Sequence, residues 1–388
     1  MKSYKLLATT IALSTLLFSC TELEDFSFGK TNIIIEETPF EIPSNDDVEA
    51  NPEIEDGDES LLSNISTSRE EGYDNIIRIN ITGIMIPGTT DWLLLYGPLS
   101  GILQNIWIEI NGTPRGFTVI NSDDEQDSSI AKSKADIVFL VDNSGSMSTE
   151  ANAIAEEIVE WSESLADLLD VEFGCVGYDG NITGAINMTT VDMLDAYLNA
   201  TGKSGTSHTV GFSGDDAAEL STLATELNSA TYGECGMCAL RYADENFTFR
   251  NGSNRIYINF TDEPNQPYYE KDWSVEYLNG QENWNTSQGT VHTVYSGSTN
   301  YTSSSLYNEY PWLMSEYTGG TTMYASSSFS GVTLADLTVT GAIQHSAYLR
   351  IVETDDLSVG THTVKLTVLS EAYDVKSEKT YENVSFEE

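Results

Sequence analysis

Residues 135–147 read ADIVFLVDNSGSM, and this stretch decides the fold class of the chain. Its apolar run, Ile137–Val141, has no polar interruption, which predicts a strand buried on both faces of a parallel sheet. The run ends in Asp142, and Ser144 and Ser146 follow in the pattern D-x-S-x-S. Ligands of open α/β sheets bind beyond the carboxyl ends of the strands, so these three oxygen-bearing side chains mark a candidate binding site.

The sequence that follows alternates between helical and strand periodicity. Five apolar residues recur at spacings of three and four and predict one face of a helix, with Ser148 as its N-cap: Ile154, Ile158, Trp161, Leu165 and Leu168. Further predicted helices cover residues 191–198, 215–227, 238–247 and 332–343, and further predicted strands cover residues 171–178, 255–260, 290–295 and 321–325. Repeated alternation of this kind predicts an α/β domain whose parallel sheet is covered on both faces.

A second acidic residue follows another predicted strand. Asp262 comes shortly after the strand 255–260, in the sequence NFTD. The tips of two parallel strands can face the same crevice, which would bring Asp262 close to Asp142. Carboxylate and hydroxyl oxygens without His or Cys suit Mg²⁺, Mn²⁺ or Ca²⁺ rather than Zn²⁺. The sequence therefore predicts a divalent cation, with Mg²⁺ first and Ca²⁺ or Mn²⁺ as alternatives.

These features together resemble the metal-ion-dependent adhesion site of the von Willebrand factor A (vWA) family. They are the D-x-S-x-S motif, the strand before it, the helix after it and the distant Thr-Asp pair that ends in Asp262. The resemblance covers residues 131–345 and implies a doubly wound, Rossmann-like parallel sheet. It also implies that Asp142, Ser144, Ser146 and Asp262 are metal ligands.

The chain departs from the family pattern at the middle ligand. In the family this ligand is usually a Thr in a Gly-rich loop shortly before an Ala-Leu pair. Here the loop reads GECGMCAL over residues 233–240, and Glu234 occupies the Thr position. Three acids around one cation would bind it tightly and leave it less charge for a partner. Thr206 and Thr209, in the loop 200–214, are the alternatives for the missing Thr.

The resemblance implies binding rather than catalysis. A cation held in this way attracts a carboxylate of a protein or extracellular-matrix ligand, so we expect a function in cell adhesion and no enzymatic activity. A periplasmic scaffold that assembles an envelope complex through the same site is a second hypothesis. A hydrolase whose catalytic residues no motif reveals is a third.

The charge balance excludes two classes of partner. The chain has 61 Asp and Glu residues against 17 Lys and Arg residues, a formal net charge of −44. A polyanion of this kind repels nucleic acid and anionic membrane surfaces, so neither is an expected partner. The same charge attracts divalent cations.

The chain begins with a targeting segment. Two lysines precede an apolar run, Leu6–Phe18, that is shorter than the roughly 20 residues of a membrane span. Residues 17–20 read LFSC and resemble a bacterial lipobox, which implies a lipoprotein signal peptide over residues 1–19 and lipidation at Cys20. The lipid would then attach the chain to the outer membrane, at the cell surface or on the periplasmic face. An ordinary secretory signal with an incidental Cys is the alternative.

The flanking sequences differ from the α/β region. Residues 20–73 are acidic and poor in large apolar residues, so they are predicted to form a disordered tether. Period-two alternation predicts antiparallel strands over residues 74–130, with a hairpin turn at Asn111-Gly112, and again over residues 346–388. Neither segment has enough strands to bury a core, so we hypothesise that they form one small β module with the α/β domain inserted. Two separate caps on the domain are the alternative.

Two cysteines lie close together in the Glu234 loop. An exported chain permits a disulfide, so Cys235 and Cys238 form either a small structural bridge or two buried thiols. No thioredoxin-like frame surrounds the pair, which argues against a redox function. Cys175 lies inside an apolar strand and is predicted to be packed.

Overall fold

The structure is a computed structural model of the 388-residue chain. It describes residues 41–70, 72–100, 103–122, 134–227, 233–268, 271–280, 283–299, 308–327, 329 and 333–386, which all belong to one structural unit. The predicted signal peptide over residues 1–19, the lipidation site Cys20 and residues 20–40 of the predicted tether lie outside this part. In the described part, no helix is long and apolar enough to cross a membrane.

The α/β region contains a seven-stranded, mostly parallel sheet. Its strands are β8 (Lys134–Asp142), β9 (Asp170–Tyr178), β10 (Ile182–Thr189), β11 (Gly211–Ser213), β12 (Asn254–Thr261), β13 (Thr290–Tyr295) and β14 (Thr322–Tyr324). The six α-helices of the described residues lie in the same region: α1 (Ala151–Leu168), α2 (Val191–Leu198), α3 (Ala217–Leu227), α4 (Gly236–Asn246), α5 (Leu313–Thr318) and α6 (Thr338–Gln344). The strand order is β11-β10-β9-β8-β12-β13-β14.

The side chains of β8 alternate between two apolar cores, one on each face of the sheet. Ile137 and Phe139 pack with residues of α1, α2 and α6, whereas Val138 and Leu140 pack with residues of α3, α4 and α5. A strand covered on both faces has no position that favours a polar side chain, which explains the uninterrupted apolar run. The prediction of a doubly covered strand is confirmed, while membership of the vWA family stays a prediction.

One strand breaks the predicted alternation of strands and helices. β10 pairs antiparallel with β9, because only the tight turn 179–181 joins them. Asp179 N–H donates to the Asn181 carbonyl at 2.9 Å, and Gly180 has a φ of 60°, which glycine adopts without steric cost. A connection this short cannot cross over a sheet. The expectation of a parallel sheet is therefore wrong for the pair β9 and β10, whereas β10 and β11 run parallel.

Three helices begin later than predicted, the smallest difference being that of α3, which was predicted from residue 215 and begins at Ala217. A 3₁₀ turn, Ser146–Thr149, precedes α1, so Ser148 is not the N-cap of that helix. The predicted helix over residues 332–343 is a 3₁₀ turn, Leu334–Asp336, followed by the short α6. Three β-branched residues open α6, and such residues lose side-chain freedom in a helix. Strand β13 and helix α2, by contrast, have the predicted bounds.

The remaining strands come from both sides of the α/β region. They are β1 (Ile65–Glu70), β2 (Tyr73–Ile81), β3 (Ile84–Met85), β4 (Trp92–Leu93), β5 (Ile106–Ile110), β6 (Thr113–Pro114), β7 (Phe117–Asn121), β15 (Ala347–Val352), β16 (Thr361–Ser370) and β17 (Val375–Ser385). Two four-stranded sheets, ordered β1-β2-β15-β7 and β17-β16-β5-β6, share one apolar core. β15 follows the α/β region but pairs with β2 and β7, which precede it. The two segments therefore build one β module.

The predicted hairpin turn at Asn111-Gly112 joins β5 to β6. The two residues have φ angles of 54° and 73°, as both central positions of a type I′ turn require. The chain then leaves this sheet at Gly116 and enters β7 of the other sheet. A Cβ atom at Gly116 would lie 1.9 Å from the Pro43 carbonyl oxygen, so only glycine permits this crossing.

The predicted disordered tether over residues 20–73 is wrong for the part that the structure describes. Residues 41–70 contain two 3₁₀ turns and the strand β1, which pairs with β2. Leu62 and Ile65 are buried, and the Tyr381 hydroxyl donates to the Ser63 carbonyl at 2.6 Å. The prediction used the low average hydrophobicity of the segment, which does not reflect these few apolar residues. They are enough to hold the segment against the β module.

Candidate metal-binding site

The candidate site lies at the point in the sheet where strands stop being added on one side of β8 and begin to be added on the other side. From β8 the chain moves to β9 on one side, and it later places β12 on the other side of β8. β8 and β12 run parallel with Val141 opposite Phe260, so the two strands end side by side. A crevice opens beyond the strand ends at such a switch point, which is the usual place for a ligand in an open α/β sheet.

Four of the five predicted ligands form one hydrogen-bonded chain. Ser144 N–H donates to Asp142 Oδ1 at 2.8 Å. The hydroxyl oxygens of Ser144 and Ser146 are 2.8 Å apart, and the Ser146 hydroxyl donates to Asp262 Oδ1 at 3.0 Å. Oxygen atoms from the ends of two strands therefore meet, as the sequence predicts.

Thr261 orients the buried acid, a role that the sequence reasoning missed. Its hydroxyl donates to Asp142 Oδ2 at 2.9 Å and accepts the Glu263 N–H at 3.0 Å. Asp142 is fully buried, and burial raises the pKa of its carboxyl to about 7, although hydrogen bonds from Ser144 and Thr261 oppose the shift. The only signal in the sequence was the position of Thr261 directly before Asp262.

Two further acids adjoin the chain of ligands and were also missed. Glu150, at the start of α1, is buried, and its Oε1 accepts the Ser296 hydroxyl at 2.9 Å. Its Oε2 has no hydrogen-bond partner among the described residues. Burial and then the charge of Asp262 raise the pKa of Glu150, and the same two causes raise the pKa of Glu263. Both acids follow a ligand motif closely in the sequence, which could have indicated them.

Glu234 lies near these acids, but it is not part of the series of hydrogen bonds that links the other four predicted ligands. Its carbonyl accepts the Gln266 N–H at 2.9 Å, which holds the loop beside the end of β12. Burial, then the charges of Asp142 and Glu263, raise the pKa of Glu234 to about 8. Among the described residues, no three Asp, Glu, His or Cys side chains lie close enough together to hold a metal ion. Ligation by Glu234 therefore stays a prediction.

The alternative ligands Thr206 and Thr209 lie in a 3₁₀ turn, Gly205–Thr209. The Thr209 hydroxyl is buried and donates to Asn143 Oδ1. Thr206 is half-buried. Thr209 is thus engaged with the residue that follows Asp142, where it positions the turn of the motif.

The chemistry of the cluster fits a divalent cation. Its side chains supply carboxylate and hydroxyl oxygens, the hard donors that Mg²⁺ and Ca²⁺ prefer. None of the ion pairs between described residues involves Asp142, Glu150, Glu234, Asp262 or Glu263. The pKa of each of these acids is raised, which is the effect of crowding and burying carboxyl groups without a compensating positive charge. A bound cation would supply that charge.

The two cysteines of the Glu234 loop are not joined by a disulfide. Cys235 and Cys238 are both buried thiols, so the second of the two predicted arrangements is the one observed. Cys238 N–H donates to the Cys235 carbonyl at 3.0 Å as α4 begins, and this turn brings the two side chains into apolar surroundings. Burial raises the pKa of the Cys175 thiol to about 12, as expected for a packed and inert cysteine.

Comparisons with known proteins add little. No family model matches the chain, and no curated protein matches it. Among solved structures, the chain is similar to the pilus adhesin RrgA from Streptococcus pneumoniae, with 14% identity and a TM-score of 0.22. The match covers 60% of this chain and 33% of the adhesin chain, so this protein spans about a third of the adhesin's length. A likeness at this TM-score carries no information about function.

Proposed function

We propose that this chain is a metal-dependent adhesion protein whose α/β region is a vWA domain. The contact between Asp142, Ser144, Ser146 and Asp262 at the ends of two adjacent strands supports this most. Ser146 and Asp262 are 116 residues apart in the sequence, and each belongs to one half of the motif. Two unrelated short motifs have no reason to meet in this way.

The four side chains have distinct roles in the proposed site. When bound, a divalent cation offers a coordination position to a carboxylate of a protein or extracellular-matrix ligand. Asp142 and Asp262 would hold the cation, and the hydroxyls of Ser144 and Ser146 would add oxygen donors without adding charge. Hydrogen bonds from Ser144 N–H and Thr261 hold the Asp142 carboxylate in one orientation.

Glu234 makes the proposed site more acidic than the family pattern. Its carboxyl is close enough for Asp142, Glu263, Asp179 and Asp262 to raise its pKa. As a further ligand it would increase the affinity for the cation and reduce the charge left for a partner's carboxylate. Partner binding then depends less on a single acidic side chain of the partner.

Calorimetry on the full chain tests the metal site directly. We expect saturable binding of Mg²⁺ or Mn²⁺ at one site, and loss of that binding in Asp142→Ala. Asp192→Ala is a matched control, because Asp192 is an exposed acid on α2. Equal binding by the wild type and Asp142→Ala would show that the cation binds elsewhere on the acidic surface.

The adhesive function needs a separate test. Immobilised matrix proteins should retain the wild-type chain in Mg²⁺, and both EDTA and Asp142→Ala should abolish retention. Retention that survives both changes would make the site structural only. Protease treatment of whole cells then distinguishes an adhesin from a periplasmic scaffold, because the protease reaches only a chain displayed at the surface.

A further inference from the structure

A cleft of about 250 Å³ lies between the β module and the α/β region. One wall consists of the chain before β1, the start of β1 and the β3–β4 hairpin, and the other consists of residues at the start of β12 and β13 and on α6. Asn254 and Thr290, which begin β12 and β13, line the cleft, whereas Asp262 follows the opposite end of β12. The cleft is therefore separate from the candidate metal site.

Most of the surface that lines the cleft is apolar, although several Ser, Thr and Asn residues also line it. Its apolar walls include Leu61, Ile65, Met85, Trp92, Ile256 and Val339. Arg255 also lines it, but its guanidinium lies 3.6 Å from the Asp244 carboxylate and against the Phe249 ring. Asp58 accepts hydrogen bonds from the backbone and hydroxyl of Ser60. Arg255 is thus paired and Asp58 is exposed to water, so the mainly apolar surface of the cleft favours an uncharged molecule.

His292 contributes a ring N–H donor to this cleft. Only 7% of the surface of His292 is exposed. The Thr321 N–H donates to Nδ1 of its ring at 3.1 Å. The Thr321 hydroxyl lies 2.9 Å from the same nitrogen. Nδ1 is therefore an acceptor, and the proton of the neutral ring lies on Nε2.

The neutral state of this ring follows from its surroundings. Burial lowers the pKa of His292 to about 4, so the ring carries one proton at neutral pH. Among the described residues, Nε2 has no hydrogen-bond partner, although the ring lines the cleft. Nε2 is not among the buried atoms that lack a partner, so its N–H faces the open cleft, where a ligand with a suitable acceptor can bind it in place of water.

We propose that this cleft binds an uncharged, mainly apolar small molecule whose carbonyl or similar acceptor takes the Nε2–H of His292. Ligand sites of proteins favour the joint between two parts of a molecule and combine apolar walls with a few placed polar groups. This binding site is independent of the metal and of the proposed adhesive function.

The test uses prodan, an uncharged naphthalene ketone whose emission shifts to the blue in apolar surroundings. The full chain should bind it saturably in a fluorescence titration. Ala342→Trp fills the cleft from α6 and Met85→Trp fills it from β3, so each should abolish binding. His292→Asn retains an acceptor for Thr321, but its shorter side chain cannot place an N–H at the position of Nε2, so it should weaken binding about tenfold.

Leu103→Asn is the control, because Leu103 is 90% exposed elsewhere on the β module and could bind a dye non-specifically. It should leave the titration unchanged. Circular dichroism checks that each variant is folded, and if His292→Asn fails this check the two Trp variants decide. Unsaturable emission, or binding that persists in both Trp variants, would overturn the proposal.

Discussion

Asp142 illustrates how single side chains prepare the candidate site. Its carboxylate is buried at a strand end, and Ser144 N–H and the Thr261 hydroxyl each donate to one of its two oxygens. These bonds orient the acid before any cation arrives, so less ordering is needed on binding. The adjacent Glu150 and Glu263 add negative charge without entering the chain of ligands.

We expect Thr261→Val to weaken Mg²⁺ binding by about tenfold, because groups that orient a ligand typically contribute that much to metal affinity. Val has nearly the shape of Thr but cannot donate to Asp142 Oδ2. Thr261→Ser is the matched control, since it retains the hydroxyl and should bind Mg²⁺ nearly as well as the wild type. Calorimetry measures both, and an unchanged affinity in Thr261→Val would remove Thr261 from the site.

We also expect Glu234→Thr to weaken Mg²⁺ binding. An added carboxylate ligand should then change the Mg²⁺ affinity more in the variant than in the wild type. The substitution removes one carboxyl group close to Asp142 and restores the family's usual residue. Calorimetry in the presence and absence of acetate measures both effects. If the affinity for Mg²⁺ does not fall, Glu234 is not a ligand.

Lys379 provides a test of pH dependence in the β module. Burial lowers its pKa to about 8 from an ordinary value of 10.5, although its ammonium donates to the Leu62 carbonyl at 2.8 Å. Below pH 8 the folded chain keeps this buried charge at a cost in stability. Between about pH 8 and 10.5 the folded chain loses the proton while the unfolded chain retains it, so this group's contribution to stability rises with pH.

Lys379→Met should therefore raise the free energy of unfolding by about 1 kcal/mol at pH 7, and the gain should vanish by about pH 10. Lys376→Met on the same strand is the control, because Lys376 is exposed. Urea unfolding at a series of pH values measures both variants. A gain that is independent of pH would mean that the buried charge is not the cause.

At the scale of elements, one side chain holds three strands of the central sheet together. Arg250 lies in the loop before β12, and its Nε donates to Asp136 Oδ1 at 2.7 Å, near the start of β8. A second nitrogen donates to Asp170 Oδ1 at 2.5 Å, at the start of β9. Asp136 is fully buried, so the ion pair is shielded from water. Loss of the Arg250 side chain would leave the Asp136 carboxylate as an uncompensated charge in the interior.

Arg250→Met should accordingly lower the free energy of unfolding by about 3 kcal/mol, as is typical when one partner of a buried pair is removed. Adding Asp136→Asn to this variant removes the stranded charge and should recover part of the loss. Chemical denaturation of the single and double variants measures this coupling. Additive losses would show that the two residues stabilise the sheet independently.

In the described part of the molecule, an α/β region is inserted into a β module, and the two parts also touch directly. Gly83 N–H donates to the Ala342 carbonyl at 2.7 Å, and Asn80 donates to the Gly252 carbonyl at 3.1 Å. Each part nevertheless has apolar cores of its own. β15 follows the inserted region in the sequence. The β module is therefore complete only when β15 has been synthesised and pairs with β2 and β7.

A fragment of residues 134–345 should therefore fold alone and keep its affinity for Mg²⁺ within a few-fold. A chain that ends at residue 345 should instead lose the β module, because β2 and β7 then lack the strand between them. Hydrogen exchange of the fragment and of the shortened chain, compared with the full chain, measures which strands remain protected. Protection of β2 in the shortened chain would contradict this dependence.

Much of the α/β region could be predicted because its signals are local. The apolar run Ile137–Val141, the helix Val191–Leu198 and the acids at two strand ends each follow from periodicity or from adjacent residues. The antiparallel β10 also had a local signal, the Asp179-Gly180 turn, which the regular alternation of strands and helices obscured.

The sequence by itself determined the apolar pattern of the central strand, the motif that begins at Asp142 and the acidic character of its surroundings. Only the tertiary structure decided that Thr261 binds Asp142, that Glu150 binds Ser296, that β15 joins strands made before the inserted region, and that His292 lines a cleft. The physical reason is the distance along the sequence between the residues that determine each property. Periodicity and charge are properties of neighbouring residues, whereas burial, hydrogen-bond partners and pKa shifts depend on which distant surfaces meet.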